Sequence, residues 1–244
     1  MFHKSLVLVF VMFSPLGLSE HGRGSSGGRA PAPPTISDFS NVGYLGTSSH
    51  YCSGVAICDK LVLTAAHCAK YATYQGAFFS TKSSNVNSVH NKEYSHIDRV
   101  LWTGDDTRGS KDLALIKTKD PVTAPAFRQP MLCDWKTFRN WDAIDDNLQL
   151  VGYASRNGTP PQRNVLNVTA TGNRGLALTW KVGRTGQIGT YGDSGGGVFW
   201  RGRLVSIESH VGERSPKRSI GPQPIFHCKW LEKMMSRYCS ASNK

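Results

Sequence analysis

Apolar residues in this chain come in short runs, and that limits it to short strands. Val55-Ala56-Ile57, Leu61-Val62-Leu63 and Leu113-Ala114-Leu115-Ile116 are compact, Leu148-Gln149-Leu150-Val151 alternates, and residues 165–171 and 176–182 are rich in β-formers. Runs of this length between turn-forming residues cross a sheet but do not build an amphipathic helix. Gly197-Val198-Phe199-Trp200 and Leu204-Val205-Ser206-Ile207 flank Arg201-Gly202-Arg203, which predicts a hairpin with those three residues as its turn. Helical spacing appears only near the end, where Trp230, Leu231, Met234 and Met235 recur three and four apart. The expected class is all-β with a C-terminal helix. With 244 residues, 39% of them apolar, the chain can hold one large β domain or two small ones.

The N-terminal residues read differently. Lys4 precedes an apolar run from Leu6 to Phe13, and Pro15 and Gly17 break it. Gly17 and Ser19 place a signal-peptidase cut before Glu20, so 1–19 read as a signal peptide and the protein as secreted. The run falls short of the roughly 20 residues a bilayer span needs, so no membrane association is expected. Residues 20–35 are rich in Gly, Ser, Pro and Arg and are expected to be a flexible pro-segment or linker. The folded domain is expected over 36–244.

Six cysteines follow this leader: Cys52, Cys58, Cys68, Cys133, Cys228 and Cys239. An even count behind a signal peptide predicts disulfides, and 15 pairings are open. No C-x-x-C pair is present, and no metal site is expected. The formal net charge is +12, with the basic residues scattered. That balance reads first as solubility, with binding to an anionic polysaccharide as the alternative. The densest basic cluster is Arg214, Lys217 and Arg218, and no nucleic-acid motif accompanies it.

Three motifs carry chemistry: Thr64-Ala65-Ala66-His67-Cys68, Asp112-Leu113-Ala114-Leu115-Ile116-Lys117 and Gly192-Asp193-Ser194-Gly195-Gly196-Gly197. Each alone is an ordinary strand end or loop. Together they contain a nucleophile, a base and an acid. A serine hydroxyl is a weak nucleophile at neutral pH and needs an adjacent base. An imidazole can take its proton and return it, and a buried carboxylate holds the imidazole in the useful tautomer. Glycines around the serine let backbone N–H groups approach a developing oxyanion.

In this order and with these flanks, the motifs resemble the chymotrypsin/trypsin family of serine proteases. The 45-residue separation of His67 and Asp112 agrees. The resemblance implies an all-β fold of two six-stranded antiparallel β-barrels with the active site between them and a C-terminal α-helix. The first barrel would cover about 36–130, the second about 140–227 and the helix about 228–239. It implies a monomeric serine endopeptidase acting on protein or peptide substrates without a cofactor. His67 would be its general base, Asp112 the orienting acid and Ser194 the nucleophile, with the N–H groups of Gly192 and Ser194 as oxyanion hole. Cys52-Ser53-Gly54 resembles the family's Cys-Gly-Gly and implies a Cys52–Cys68 bridge; Cys133–Cys228 and Cys58–Cys239 are implied for the rest. Ser209 resembles the serine that bonds the triad aspartate. Its backbone, with His210 and Val211, would pair with an extended substrate. A catalytically silent binding protein on the same fold is the alternative, and the intact set of three residues weighs against it.

The sequence departs from this pattern in three places. The activation sequence whose new N-terminus would meet Asp193 is missing, so another cation is expected there, because a buried unpaired carboxylate is costly. Thr190 stands where the family has a pocket-bracing cysteine. Ile188 stands where trypsin-like pockets carry Asp, which points to a small or apolar P1 residue. Glu208 beside Ser209 would favour a basic P1 if it pointed inward, and is expected to be solvated instead. Asn157-Gly158-Thr159 and Asn167-Val168-Thr169 are glycosylation sequons.

Overall fold

Alternation along the strands decides where the two sheets of this protein meet. The computed structural model describes residues 36–46, 50–73, 76–82, 94–104, 109–124, 133–135, 148–156, 158–174, 177–182, 188–211 and 218–240. The expected signal peptide and linker, Arg214, Lys217 and Asn157 lie outside the described residues.

Six strands form the first barrel: β1 Val42–Gly46, β2 Tyr51–Cys58, β3 Leu61–Thr64, β4 Phe78–Ser80, β5 Ser95–Thr103 and β6 Ala114–Thr118. Their order is β1-β2-β3-β6-β5-β4, and pairing of Tyr44 with Ser80 between β1 and β4 closes the circle. Successive side chains of a strand point to opposite faces. Ala56, Val62, Ala114 and Ile116 therefore fill the barrel with Phe79. Their neighbours Val55, Ile57, Leu63 and Leu115 face the other way, into a core shared with Val151, Phe199, Leu204 and Ile207 of the second sheet. This shared core joins the two halves.

The second sheet contains β7 Leu148–Ala154, β8 Gln162–Arg174, β9 Ala177–Val182, β10 Gly197–Trp200, β11 Arg203–Ile207, β12 His210–Val211 and β13 Arg218–Pro222. Its order is β11-β10-β7-β8-β9-β13-β12. The expected all-β fold of two halves with a C-terminal helix is present, and its second half is a half-barrel: a seven-stranded sheet with no continuous closing ladder among the described residues. The reason lies between the edge strands. β11 leads directly into β12 through Glu208 and Ser209, so the ends meet at a chain crossing. Single hydrogen bonds seal it, from Ser206 Oγ to Pro222 O (2.8 Å) and from Ser209 N to Ile220 O (3.2 Å).

The β10–β11 hairpin forms, with Trp200 paired to Arg203. Its turn is Arg201-Gly202 alone, both at positive φ (49° and 73°), and Arg203 belongs to β11. A helix α1, Ala66–Ala72, lies where no helix was expected; seven residues are too few to show a period. The terminal helix α2, Cys228–Tyr238, buries Leu231 in the shared core with Trp230, Met234 and Met235 against it.

Disulfides join Cys52 to Cys68, Cys58 to Cys239 and Cys133 to Cys228. The second ties the end of α2 to β2 across 181 residues, and Ser240 adds bonds to Asp59 at 2.9 and 3.1 Å. Closing so long a loop restricts the unfolded chain strongly. Replacing both Cys58 and Cys239 by Ser is expected to lower stability by about 2–4 kcal/mol in denaturant unfolding, with α2 losing hydrogen-exchange protection first.

Candidate active site

β3 ends at Thr64, and the chain turns into α1 with His67 in its first turn. The Cys52–Cys68 disulfide ties that turn to β2. His67 Nδ1 lies 2.7 Å from Asp112 Oδ2, and the His67 backbone N–H donates to Asp112 Oδ1 at 2.9 Å. Asp112 sits just before β6 and is fully buried. Ser209 Oγ donates to Asp112 Oδ2 at 2.6 Å and accepts from Gly109 N at 2.9 Å. Three donors thus face one buried carboxylate, which fixes the imidazole with Nδ1 as the protonated nitrogen.

Ser194 comes from the second sheet, in the turn before β10. Its carbonyl accepts from Ser53 N at 2.7 Å and lies 3.6 Å from Cys68 Sγ, beside His67. The Ser194 hydroxyl makes no hydrogen bond to His67 among the described residues. Such bonds are often long in a resting site and tighten with substrate. The N–H groups of Gly192 and Ser194 are likewise unbonded among the described residues, which leaves both donors open to an oxyanion.

The turn holding these donors is tightly constrained. Gly192 has φ +95°, and a Cβ there would meet the Tyr51 ring at 2.3 Å. Ser53 Oγ donates to Gly192 O at 2.7 Å and accepts from Tyr153 N at 2.7 Å. The hydroxyl that distinguishes Cys52-Ser53-Gly54 from Cys-Gly-Gly thus holds the Gly192 carbonyl, two residues before Ser194.

Asp193 lies between the two open donors, 1% exposed. Its Oδ2 is paired with Arg156 Nη2 and accepts from Thr190 N at 2.9 Å. Arg156 is the cation whose presence the buried carboxylate requires. It follows β7 directly, and its carbonyl is held by Thr159 N (2.9 Å) and Thr159 Oγ1 (2.6 Å). Burial still pushes the Asp193 carboxyl up to about 6, against the pull of Arg156 and the Thr190 N–H. Nothing in the sequence marks Arg156 among the other basic residues, because its role depends on where the turn after β7 lies.

Glu208 is only 1% exposed, which corrects the expectation of a solvated side chain. Its backbone exchanges bonds with the turn after Ser194 (Gly195 N to Glu208 O, 2.7 Å; Glu208 N to Gly196 O, 2.8 Å), and this turns the side chain inward. The carboxylate lies against Gly189, where a Cβ would come within 3.0 Å of Glu208 Cδ. Neither oxygen has a hydrogen-bond partner of good geometry among the described residues. Trp180 Nε1 and Ser219 Oγ are buried donors that face the carboxylate and pull its carboxyl down against the desolvation. Desolvation, reinforced by the charge of Asp193, holds the Glu208 carboxyl well above the usual range.

The remaining expected site residues fall around this group. Ile188 is half-buried, and its carbonyl accepts from Arg156 Nη1 at 3.2 Å. His210 and Val211 form β12, the edge strand of the second sheet among the described residues, paired with β13. Tyr191, 66% exposed beside Ser194's turn, packs edge-on against Tyr51, and no motif pointed to it.

The sequence model of the family described as Trypsin matches residues 27–228. The chain belongs to the trypsin family. It is 26% identical to "Trypsin Tyr p 3.0101" of Tyrophagus putrescentiae over 209 residues, covering 76% of this chain and 72% of that one. It is 26% identical to Kallikrein-12 of Homo sapiens over 253 aligned positions, covering 92% and 95%. Among solved structures it resembles "neuropsin, a serine protease expressed in the limbic system of mouse brain", with a TM-score of 0.64 at 17% identity over 83% of this chain and 97% of that one. Membership makes the protein a trypsin-like serine protease by family. The match begins at residue 27, where the chain reads Gly-Gly-Arg-Ala.

The carboxyl of Glu208 is raised in the folded protein, so its neutral form stabilises the fold below the unfolded value near 4.3, and that contribution is lost as pH rises through the folded value. Glu208→Gln is therefore expected to match the parent in thermal melts near pH 4 and to exceed it by about 3 °C or more at pH 8.

Proposed function

We propose that the protein is a secreted, catalytically competent serine endopeptidase in which Ser194, His67 and Asp112 act as the triad. The observation that carries this reading is the fully buried Asp112, held by His67 Nδ1 and Ser209 Oγ in the arrangement that prepares an imidazole to accept a proton at Nε2. Secretion rests on the signal-peptide pattern of residues 1–19 and on the three disulfides.

Ser194 Oγ attacks the scissile carbonyl carbon as His67 Nε2 takes its proton. The carbonyl oxygen gains the negative charge within reach of the Gly192 and Ser194 N–H groups. His67 returns the proton to the leaving amine as the C–N bond breaks, leaving an acyl ester on Ser194. Water, deprotonated by His67, then repeats the sequence and releases the carboxylic acid. Meanwhile Asp112 stabilises the imidazolium without taking up its proton.

The buried position of Glu208 shifts the P1 expectation from small or apolar to basic. A buried carboxylate that faces Trp180 Nε1 and Ser219 Oγ, has no ion-pair partner among the described residues and lies against a residue with no side chain suits the head of a Lys or Arg side chain. Such a cation would supply a charged partner.

A fluorophosphonate probe is expected to label Ser194 in the purified protein and not in Ser194→Ala. Asp112→Asn should lower kcat about 10,000-fold, because the imidazole then loses the tautomer the reaction uses. In a peptide library, cleavage should follow Lys and Arg and shift away from them in Glu208→Gln. A profile of small or apolar P1 residues in the parent would remove Glu208 from the specificity role.

A further inference from the structure

We propose that Arg156 is a positioning residue that holds the oxyanion turn in its working shape from within the chain, so that competence does not require a free N-terminus. This rests on the proteolytic reading above and adds to it a statement about how the site is switched on.

Asp193 is the residue between the two open N–H donors, and its side chain decides how that turn is held. One carboxylate oxygen, Oδ2, is taken by Arg156 and by Thr190 N. The other, Oδ1, is buried against Gly152, where a Cβ would come within 2.5 Å of it, and has no hydrogen-bond partner among the described residues. Arg156 is itself braced. Its second guanidinium nitrogen donates to Ile188 O, and Thr159 holds its carbonyl twice. The guanidinium thus bridges two segments of the site, the backbone at Ile188 and the turn of Ser194. A planar fork suits this double contact better than a point charge.

The start of the described chain is committed elsewhere. Phe39 is buried with its ring 4.8 Å from that of Phe199. Asn41 exchanges bonds with Ala56 at 2.8 and 3.1 Å, and Arg163 binds the carbonyls of Ser40 and Val42. Residues 39–42 serve the shared core, and the cation at Asp193 comes from the turn after β7. An arginine side chain is charged throughout the working pH range, so this partner needs no cleavage to appear.

The inference is tested on the mature chain, the same chain with an N-terminal extension kept intact by mass measurement, Arg156→Gln and Arg156→Lys, with Asp193→Asn and its double variant with Arg156→Gln added for unfolding. The extended chain is expected to label at Ser194 and to turn over a peptide substrate with kcat/KM within about threefold of the mature form. Arg156→Gln should lose roughly 100- to 1,000-fold in kcat, the scale of one lost oxyanion donor, with KM little changed. Its affinity for a peptide boronate should fall in parallel. Arg156→Lys should recover part of the loss. An extended chain that stays inactive until cut, or an Arg156→Gln enzyme within threefold of the parent, overturns the proposal. If no form labels Ser194, the proteolytic reading itself falls. Denaturant unfolding then still decides the ion pair. Coupling between Arg156→Gln and Asp193→Asn supports it, and simple additivity overturns it.

Discussion

The contact between Ser53 and the turn of residues 192–195 holds the site together. His67 and Asp112 belong to the first barrel and Ser194 to the second sheet, so these three residues are neighbours only while the two keep register. The apolar core of Val55, Leu63, Leu115, Phe199 and Ile207 brings them together, but apolar packing is not directional. Ser53 adds direction. Its N–H binds Ser194 O, its Oγ binds Gly192 O, and its carbonyl accepts from Thr64 Oγ1 at 2.8 Å in the strand that leads to His67. Gly195 fits against the same residue at φ +82°, where a Cβ would come within 2.1 Å of Ser53 O. Displacements of about 1 Å can cost two orders of magnitude in rate, so a hydrogen-bonded seam at this place has direct consequences for chemistry.

Three buried acids surround that seam, and each is satisfied differently. Asp112 has three hydrogen-bond donors and serves as a fixed reference for the imidazole. Asp193 has one cation and one N–H on one oxygen, enough to hold a turn but not to cancel desolvation, as its elevated carboxyl shows. Glu208 has no ion pair among the described residues, and Trp180 Nε1 and Ser219 Oγ are the donors that face it. The decreasing supply of internal partners parallels the roles proposed for them: the first to orient an imidazole, the second to hold a backbone turn, the third to meet a cation from a substrate.

Much of this was legible in the residues. The apolar runs at 55–57, 61–63, 148–151, 197–200 and 204–207 fall within observed strands because short apolar runs between turn residues are local signals. The helix at α1 was not legible, since about two turns of Ala-rich chain carry no period. The open edge of the second sheet was not legible either, because it depends on where β11 hands over to β12. For the site, motif and resemblance named His67, Asp112, Ser194 and Ser209. They did not find Arg156, a basic residue in a loop with nothing in its neighbours to distinguish it, and they misjudged Glu208. A Glu beside a strand end reads as solvated unless the backbone on both sides is known to turn it inward.

The sequence by itself determined the chemistry on offer: a nucleophile, a base and an acid in order, glycines where the backbone must come close, and six cysteines to brace the fold. It also showed that Asp193 would need a cation, because that follows from the cost of burying charge. Only the tertiary structure decided which cation, and which way Glu208 points. Electrostatic partners are chosen by distance in space across turns far apart in sequence, and no local pattern encodes that distance.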